Sequence, residues 1–453
     1  MCSASAASSK TPVGSQRRIS TFCGRFNAEA TYFQPETVEE LQAIVTRARE
    51  QGKTVKVIGA GHSFSNIALT DGYMVSLDHL NRLDEPVERE GGWTAKLQAG
   101  IRLKQLNREL WQKGFALSNM GEVAEQSIAG AMQTATHGTG TGGTTAAAVV
   151  AMTLLTADGK LMHLPQDDPK LFRAACVGLG AVGIVVDATL KVQPKFYIEE
   201  TVTAPPFDQV LADMPGLIAE NPRIRFRWMP HTNQIQVSIL TPTDQKPARE
   251  NLEPRAVSGL EIWFMNRFTG MGHAFPAFVP LSNRILGLTY LYRQEKVVDL
   301  SFRRFANGVG QLLKPHEEIE YAVSMSNAAR SFAAVRKLIE DNGLRVNFAV
   351  ELRFAPADNH YMSPSYQQDM AYIGGNTMQG RDAERYFRLF AQLIMDEFQG
   401  RPHLGKDLVG ITPQYLRRVY GDGYVEFKRV LEQYDPDGLF ANDFVRKMFP
   451  REL

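Results

Sequence analysis

Cysteine is scarce: Cys2, Cys23 and Cys176 are the only three in 453 residues, odd in number and without metal-ligand spacing. A disulfide-built secreted scaffold is excluded, and a reducing compartment, the cytoplasm, is expected. An excess of one charge is missing too, since 50 Lys and Arg stand against 49 Asp and Glu, a net charge of +1. Neither nucleic acid nor an anionic membrane surface is therefore an expected partner. No run of eighteen apolar residues occurs, so no integral membrane segment is expected. Residues 1–28 contain no acidic residue, only the cations Lys10, Arg17, Arg18 and Arg25 among small polar residues. That composition is similar to a transit peptide and Arg17-Arg18 to a twin-arginine signal, but no apolar core follows the pair and no amphipathic helix is evident. The stretch therefore reads as a flexible tail, with an organellar or exported form as the alternative.

What is present is an ordinary globular composition, 44% hydrophobic with 37 glycines and 23 prolines. The length suggests roughly two to three domains. Regular structure is expected from about Pro35. Thr37 and Glu40 form a capping-box pattern, and Val38, Leu41, Ile44, Val45 and Ala48 mark one helix face. Short strands are predicted at Thr54–Ile58, Tyr73–Leu77, Leu97–Gly100 and Val149–Leu155, with Asp158-Gly159 as a hairpin turn. A helix marked by Leu103, Leu106 and Leu110 ends at Gly114. Strands and helices mix without strict alternation, which predicts an α+β fold.

After Pro194 the texture changes. Residues 241–258 are polar, carry Pro242, Pro247 and Pro254, and read as a long surface loop. Residues 259–292 are rich in Trp, Phe, Leu and Met and read as a buried cap element. A strand at Glu320–Val323, a helix over 327–340, a strand at Arg345–Phe354 and a helix over 382–398 follow.

Three glycine groups bear on chemistry. Gly178, Gly180 and Gly183 match a dinucleotide pattern, but a helical stretch precedes them and a β-branched run follows, the reverse of a nucleotide-binding βα unit. They read instead as a loop that approaches something closely. Gly59-Ala60-Gly61-His62-Ser63 directly follows a strand, and His62 offers a nucleophilic imidazole. Ser127-Ile128-Ala129-Gly130, leading to Thr136-His137-Gly138-Thr139-Gly140, supplies small side chains and unblocked amides of the kind that wrap a pyrophosphate. Each alone is also compatible with a tight turn. Along the strand to Phe354, Glu351 and Arg353 project the same way, roughly 6–7 Å apart. They read either as a surface ion pair or as groups that hold a polyhydroxylated substrate.

Together, VKVIGAGHSFSNIALTDGYMVSLDHL (55–80), EQSIAGAMQTATHGTG (125–140), EIEYAV (318–323), VELRF (350–354), RPHLGK (401–406) and LFANDF (439–444) resemble the sugar-1,4-lactone oxidases of the vanillyl-alcohol-oxidase type. Alditol oxidases are related. The resemblance spans about 32–450 and implies an FAD-binding domain at 29–195 made of two subdomains. It further implies a substrate or cap domain with an antiparallel sheet at 196–399, and a segment at 400–453 that closes the site.

The resemblance implies FAD held by Gly59, Ala60, Gly61, His62, Ser63, Gly121, Ser127, Gly130, Thr134, Thr136, His137, Gly138, Gly183 and Ile184. A covalent link through His62 is implied as well, and no metal. Glu351 and Arg353 fall on the family's Glu-x-Arg substrate pair, and Lys406 on the lysine of its His-Trp-Gly-Lys motif, with His403 in place and Glu320 as a supporting candidate. Leu404 stands where the family usually has tryptophan. The implied reaction is oxidation of a sugar lactone, with an alditol as the alternative substrate, by hydride transfer to flavin N5. Electrons would pass to O2, giving H2O2, or to another acceptor, with Gly121 as the position that leaves the path for O2 open.

Overall fold

The computed structural model describes residues 13–253, 259–306, 316–378 and 381–451. The amino-terminal half carries a four-stranded sheet in the order Ser15–Ser20, Asn27–Phe33, Tyr73–Val75, Val55–Val57, with an antiparallel outer pair and parallel inner pairs. Beside it lies an antiparallel five-stranded sheet, Val87–Arg89, Gly92–Gln98, Ile184–Lys191, Val149–Leu155, Leu161–Leu164. The helix Val38–Glu50 buries Leu41, Ile44, Val45 and Ala48 completely, as its 3.6-residue period requires. Thr37 Oγ1 accepts from the Glu40 amide at 3.2 Å, while Glu40 returns to the Glu36 amide at 2.8 Å, one residue short of the expected partner.

The tail expectation is corrected over residues 13–28. Ser15–Ser20 is an edge strand paired along its whole length with Asn27–Phe33, and the intervening turn buries Thr21 and Cys23. Alternation within SQRRIS is weak because most of its side chains remain exposed, so burial leaves no pattern to read. Residues 1–12 lie outside the described residues.

The second half is built on an antiparallel eight-stranded sheet. Its order is Glu295–Leu300, Tyr197–Thr203, Gln236–Thr243, Ile224–Trp228, Val350–Ala355, Met370–Met378, His316–Ser324, Arg401–Pro402. The helices Phe207–Glu220, Ala328–Asp341 and Arg381–Phe398 cover one face, where Phe207 stacks on Phe332 with centroids 5.8 Å apart and Tyr321 meets Phe390. The other face turns toward the amino-terminal half.

Four further expectations shift. The strand expected at Arg345–Phe354 is Val350–Ala355, because its neighbour ends at Trp228, just before Pro230, and residues 345–349 have no ladder to join. The strand expected at Leu97–Gly100 runs over Gly92–Gln98. Residues 259–292 form the helices Gly259–Ala274 and Val279–Leu286 and a closing turn, and they are buried on one side only. Met265, Thr269, Leu286 and Leu291 face inward, whereas Leu260 and Leu288 are 75% and 70% exposed, since a single layer has just one face to bury. Of the polar 241–258 stretch, 241–243 complete a strand, 244–253 carry no helix or strand, and 254–258 lie outside the described residues.

The carboxy-terminal segment folds back onto the first half. Leu439 O accepts from the Val55 amide at 2.8 Å, and Asn442 Nδ2 donates to the carbonyls of Asn66, Ile67 and Leu69 at 2.8–3.1 Å. Among the described residues, no helix is long and apolar enough to cross a membrane.

Candidate active site

Two connected chambers run from the amino-terminal half to the cap sheet. The outer one lies against Val55–Val57 and is lined by Gly59, Ala60, Gly61, Ser127, Gly130, Gly183 and Ile184. The inner one is lined by Gly121, Thr136, His137, Glu351, Arg353 and Lys406. His62, Ser63, Gln126 and Thr134 line both. Every residue expected in the site except Gly138 thus lies on one continuous cleft. Gly138 is buried behind it, where a Cβ would meet Asn119 Oδ1 at 2.2 Å. The Gly178 loop contributes Gly180 and Gly183 to the outer wall, after a helix and before a strand, as the reversed order required.

The outer chamber fits a ligand that backbone must approach closely. A Cβ on Gly59 would meet Ser127 Oγ at 2.5 Å, and Gly61 holds φ +70°, so larger residues would fill or strain the cradle. Ser127 caps the short helix Ile128–Gln133, with its hydroxyl taken by the Gly130 amide at 3.2 Å. Where the chambers meet, Gln126 Oε1 is buried without a protein donor, an acceptor suited to a ligand N–H.

The inner chamber is floored by a row across four strands. Register places Arg227 opposite Glu351, Glu351 opposite Gly374, and Gly374 opposite Glu320, so all four share one face. Arg227 bonds both Glu351 and Glu122. Arg353 reaches over Gly374 to Glu320 at 3.0 Å and lies 3.8 Å from Glu351. A Cβ on Gly374 would sit 3.7 Å from Glu320 Oε1, an ordinary contact distance. Burial works against the Arg353 charge, but Glu320, Glu351 and Glu122 outweigh it and hold its pKa above the ordinary arginine value. Burial likewise opposes Glu320, yet His137 and Arg353 pull its carboxyl well below the usual range, and His137 Nε2 lies 3.3 Å away.

At the end of the row, alongside the Glu320 strand, runs the His403–Lys406 segment; the amides of His403 and of the following Asp407 donate to Glu320 O at 3.0 Å and Glu318 O at 2.8 Å. Burial pushes Lys406 down to about 8 against the pull of Glu122, and its ammonium bonds Glu318, which also takes His316 Nε2 at 3.0 Å. Burial lowers His403 to about 4. The segment is stitched to the His62 loop, since Phe64 N donates to Gly405 O at 2.8 Å and Ser65 Oγ to Leu404 O at 3.0 Å. Leu404 itself is 2% exposed and belongs to the core, so the missing tryptophan removes no wall from the chamber. Burial first, then Lys406, Arg102 and His316, hold the His62 pKa at about 4. At neutral pH its imidazole is uncharged and nucleophilic.

No motif marks Arg227, Glu122, Glu318 and Phe22, which line the inner chamber, or Arg225, which donates to Glu122 at 3.1 Å. A signal existed for two of them: IRFRW alternates arginine with large apolar residues, a period-2 pattern with charge on the face a strand normally buries or wets. Glu122, Glu318 and Phe22 carried none.

Residues 188–448 match the family model described as D-arabinono-1,4-lactone oxidase, and residues 30–165 match that of an FAD-binding domain. The chain is 31% identical to the L-gulono-1,4-lactone dehydrogenase of Mycobacterium tuberculosis over 423 residues, covering 93% of this chain and 96% of that protein. It is 32% identical to the L-gulonolactone oxidase of Scyliorhinus torazame over 434 residues, 92% and 94% of the two chains. A solvent-stable cholesterol oxidase superposes with a TM-score of 0.82 at 16% identity, covering 96% of this chain and 98% of the other, which establishes the shared α+β fold. The match over more than half of its length, together with relatives that span nearly all of it, makes this chain an FAD-binding member of the D-arabinono-1,4-lactone oxidase family.

Proposed function

We propose that the protein oxidises a carbinol of a sugar-1,4-lactone of the gulono-, galactono- or arabinono- type, with O2 as acceptor and H2O2 as product. The observation that carries this reading is the row Arg227–Glu351–Gly374–Glu320, with Arg353 and Lys406, at the inner end of a cleft whose outer end is a glycine cradle. The relatives named above act, by their names, on such lactones.

FAD, when bound, supplies the hydride acceptor. The chain supplies position and field. Glu351, fixed between Arg227 and Arg353, accepts hydrogen bonds from vicinal hydroxyls and aligns the ring. Arg353 and Lys406 present preorganised positive charge where negative charge accumulates on reduction. Gly59, Gly61 and Ser127 would hold the pyrophosphate by amides and a hydroxyl, with Gly130 giving backbone room beside them, and His62 would be the point of covalent attachment. Gly121, lacking a Cβ, keeps the inner chamber open to O2; a methyl there would meet Thr136 Cγ2 at 2.5 Å.

The test is anaerobic mixing with a panel of lactones and alditols, followed by admission of air with peroxide detection. Lactones bleach the visible flavin band, and air restores it with peroxide. Bleaching by alditols alone would reassign the substrate, and bleaching without reoxidation in air would make the enzyme a dehydrogenase.

A further inference from the structure

The amino-terminal turn, residues 21–26, reaches the heart of the cleft. We propose that Phe22 is a positioning residue for His62, and that this turn belongs to the active site; the inference rests on His62 as the point that meets the flavin.

Phe22 stacks face to face on the His62 imidazole, with centroids 4.7 Å apart and planes 26° apart. Its edges meet Phe64 at 6.5 Å and His316 at 6.2 Å, both near perpendicular. With one face of the imidazole covered, rotation about its side-chain bonds is restricted while His62 lines both chambers. Without that stack the ring would sample several rotamers, and each approach to a reacting carbon would first have to select the right one.

The turn is anchored independently of the ring. Phe22 N donates to Gly61 O at 2.8 Å, Thr21 N to Phe26 O at 3.0 Å, and Gly24 N to Thr21 O at 2.8 Å. Arg25 bonds Asp407, which follows Lys406, and lies 3.8 Å from Glu317 on the strand that carries Glu318. One turn therefore ties together the histidine loop, the lysine segment and the edge of the cap sheet. These anchors do not need an aromatic side chain at 22, so stacking can be removed while the turn stays in place.

The experiment compares holoenzymes carrying Phe22→Leu and Phe22→Tyr with wild type and His62→Ala. The readouts are the fraction of flavin retained by acid-precipitated protein and the thermal midpoint. Phe22→Leu is expected to lower the covalent fraction roughly 2- to 10-fold, the equivalent of one aromatic stack, with an unchanged midpoint. Phe22→Tyr restores it. Wild-type attachment in Phe22→Leu overturns the proposal, and so does a parallel loss in Phe22→Tyr. If wild type releases all its flavin to acid, covalent attachment fails as a reading. Phe22 is then judged by the FAD dissociation constant, expected to rise roughly 2- to 10-fold in Phe22→Leu; an unchanged constant overturns the proposal.

Discussion

The two halves of the cleft are built by opposite means. The outer chamber works by omission: Gly59, Gly61, Gly130 and Gly183 remove side chains so that backbone comes close, and Ser127 and Thr134 add only short hydroxyls. The inner chamber works by addition. Arg227, Glu351, Arg353, Glu320, Glu122 and Lys406 bring six charged side chains together, nearly all of them paired with a neighbour of opposite sign. A cofactor that stays can be held by shape and amides. A substrate that must enter, react and leave is better held by charges whose strength is tuned by neighbours.

If this contrast is correct, damage to the charge network should be costly in a way damage to the cradle is not. The largest effect is expected for Arg227→Met, which leaves Glu122 and Glu351 without their shared partner. Breaking a buried pair costs about 3–5 kcal/mol, read as a lower midpoint in urea, and the double variant Arg227→Met/Glu122→Met should recover part of it. No loss in the single variant would show the row to be well solvated.

Glu351→Gln comes next. It keeps the shape and removes one preorganised charge, worth about 2.7–4 kcal/mol of transition-state stabilisation, so kcat should fall by two to three orders of magnitude with full FAD content. Loss of FAD in this variant would break the division between chambers.

Gly59→Ala is the mirror experiment. Its methyl meets Ser127 Oγ, and overpacking of about 1–3 kcal/mol should weaken non-covalent FAD binding, read in a His62→Ala background, about ten- to a hundredfold while enzyme fully loaded with FAD turns over normally. A fall in kcat at saturation would mean that the cradle also steers the reaction.

The smallest effect is on pH dependence. Lys406, lowered to about 8, is charged below that pH and loses its charge as pH rises through it. The log of kcat/KM should therefore be flat below about 8 and fall above it. Lys406→Arg, which keeps its charge beyond about 12, should remove that limb. A rise through pH 8 would instead identify Lys406 as a base.

The same contrast explains what was legible in the sequence. Cradle residues follow one another within a few positions, so GAGHS and SIAG announce themselves, and strand-to-loop context rejects the Gly178 pattern. Of the charge row, only Glu351 and Arg353 share a strand. Arg227 and Glu320 come from strands far apart in the chain, Glu122 from a loop, and Gly374 has no side chain to mark it. The α+β mixture was readable because hydrophobic period is local. The turn at 21–26 was not, since its partners, Gly61 and Asp407, lie far along the chain.

Residues 401–406 have a consequence for anyone recombining such enzymes. Pro402 pairs with Tyr321 at the edge of the cap sheet, and two residues later Leu404 and Gly405 are bonded to the histidine loop. So short a strap works as a tie-rod: it fixes the height of the substrate chamber over the cradle and leaves little slack for the halves to slide. A foreign cap grafted between 196 and 399 inherits that height from its host. New specificity should then come from exchanging the helices at 259–286, which roof the chamber, and chimeras that cut inside 401–406 should lose register between the halves even when each half folds.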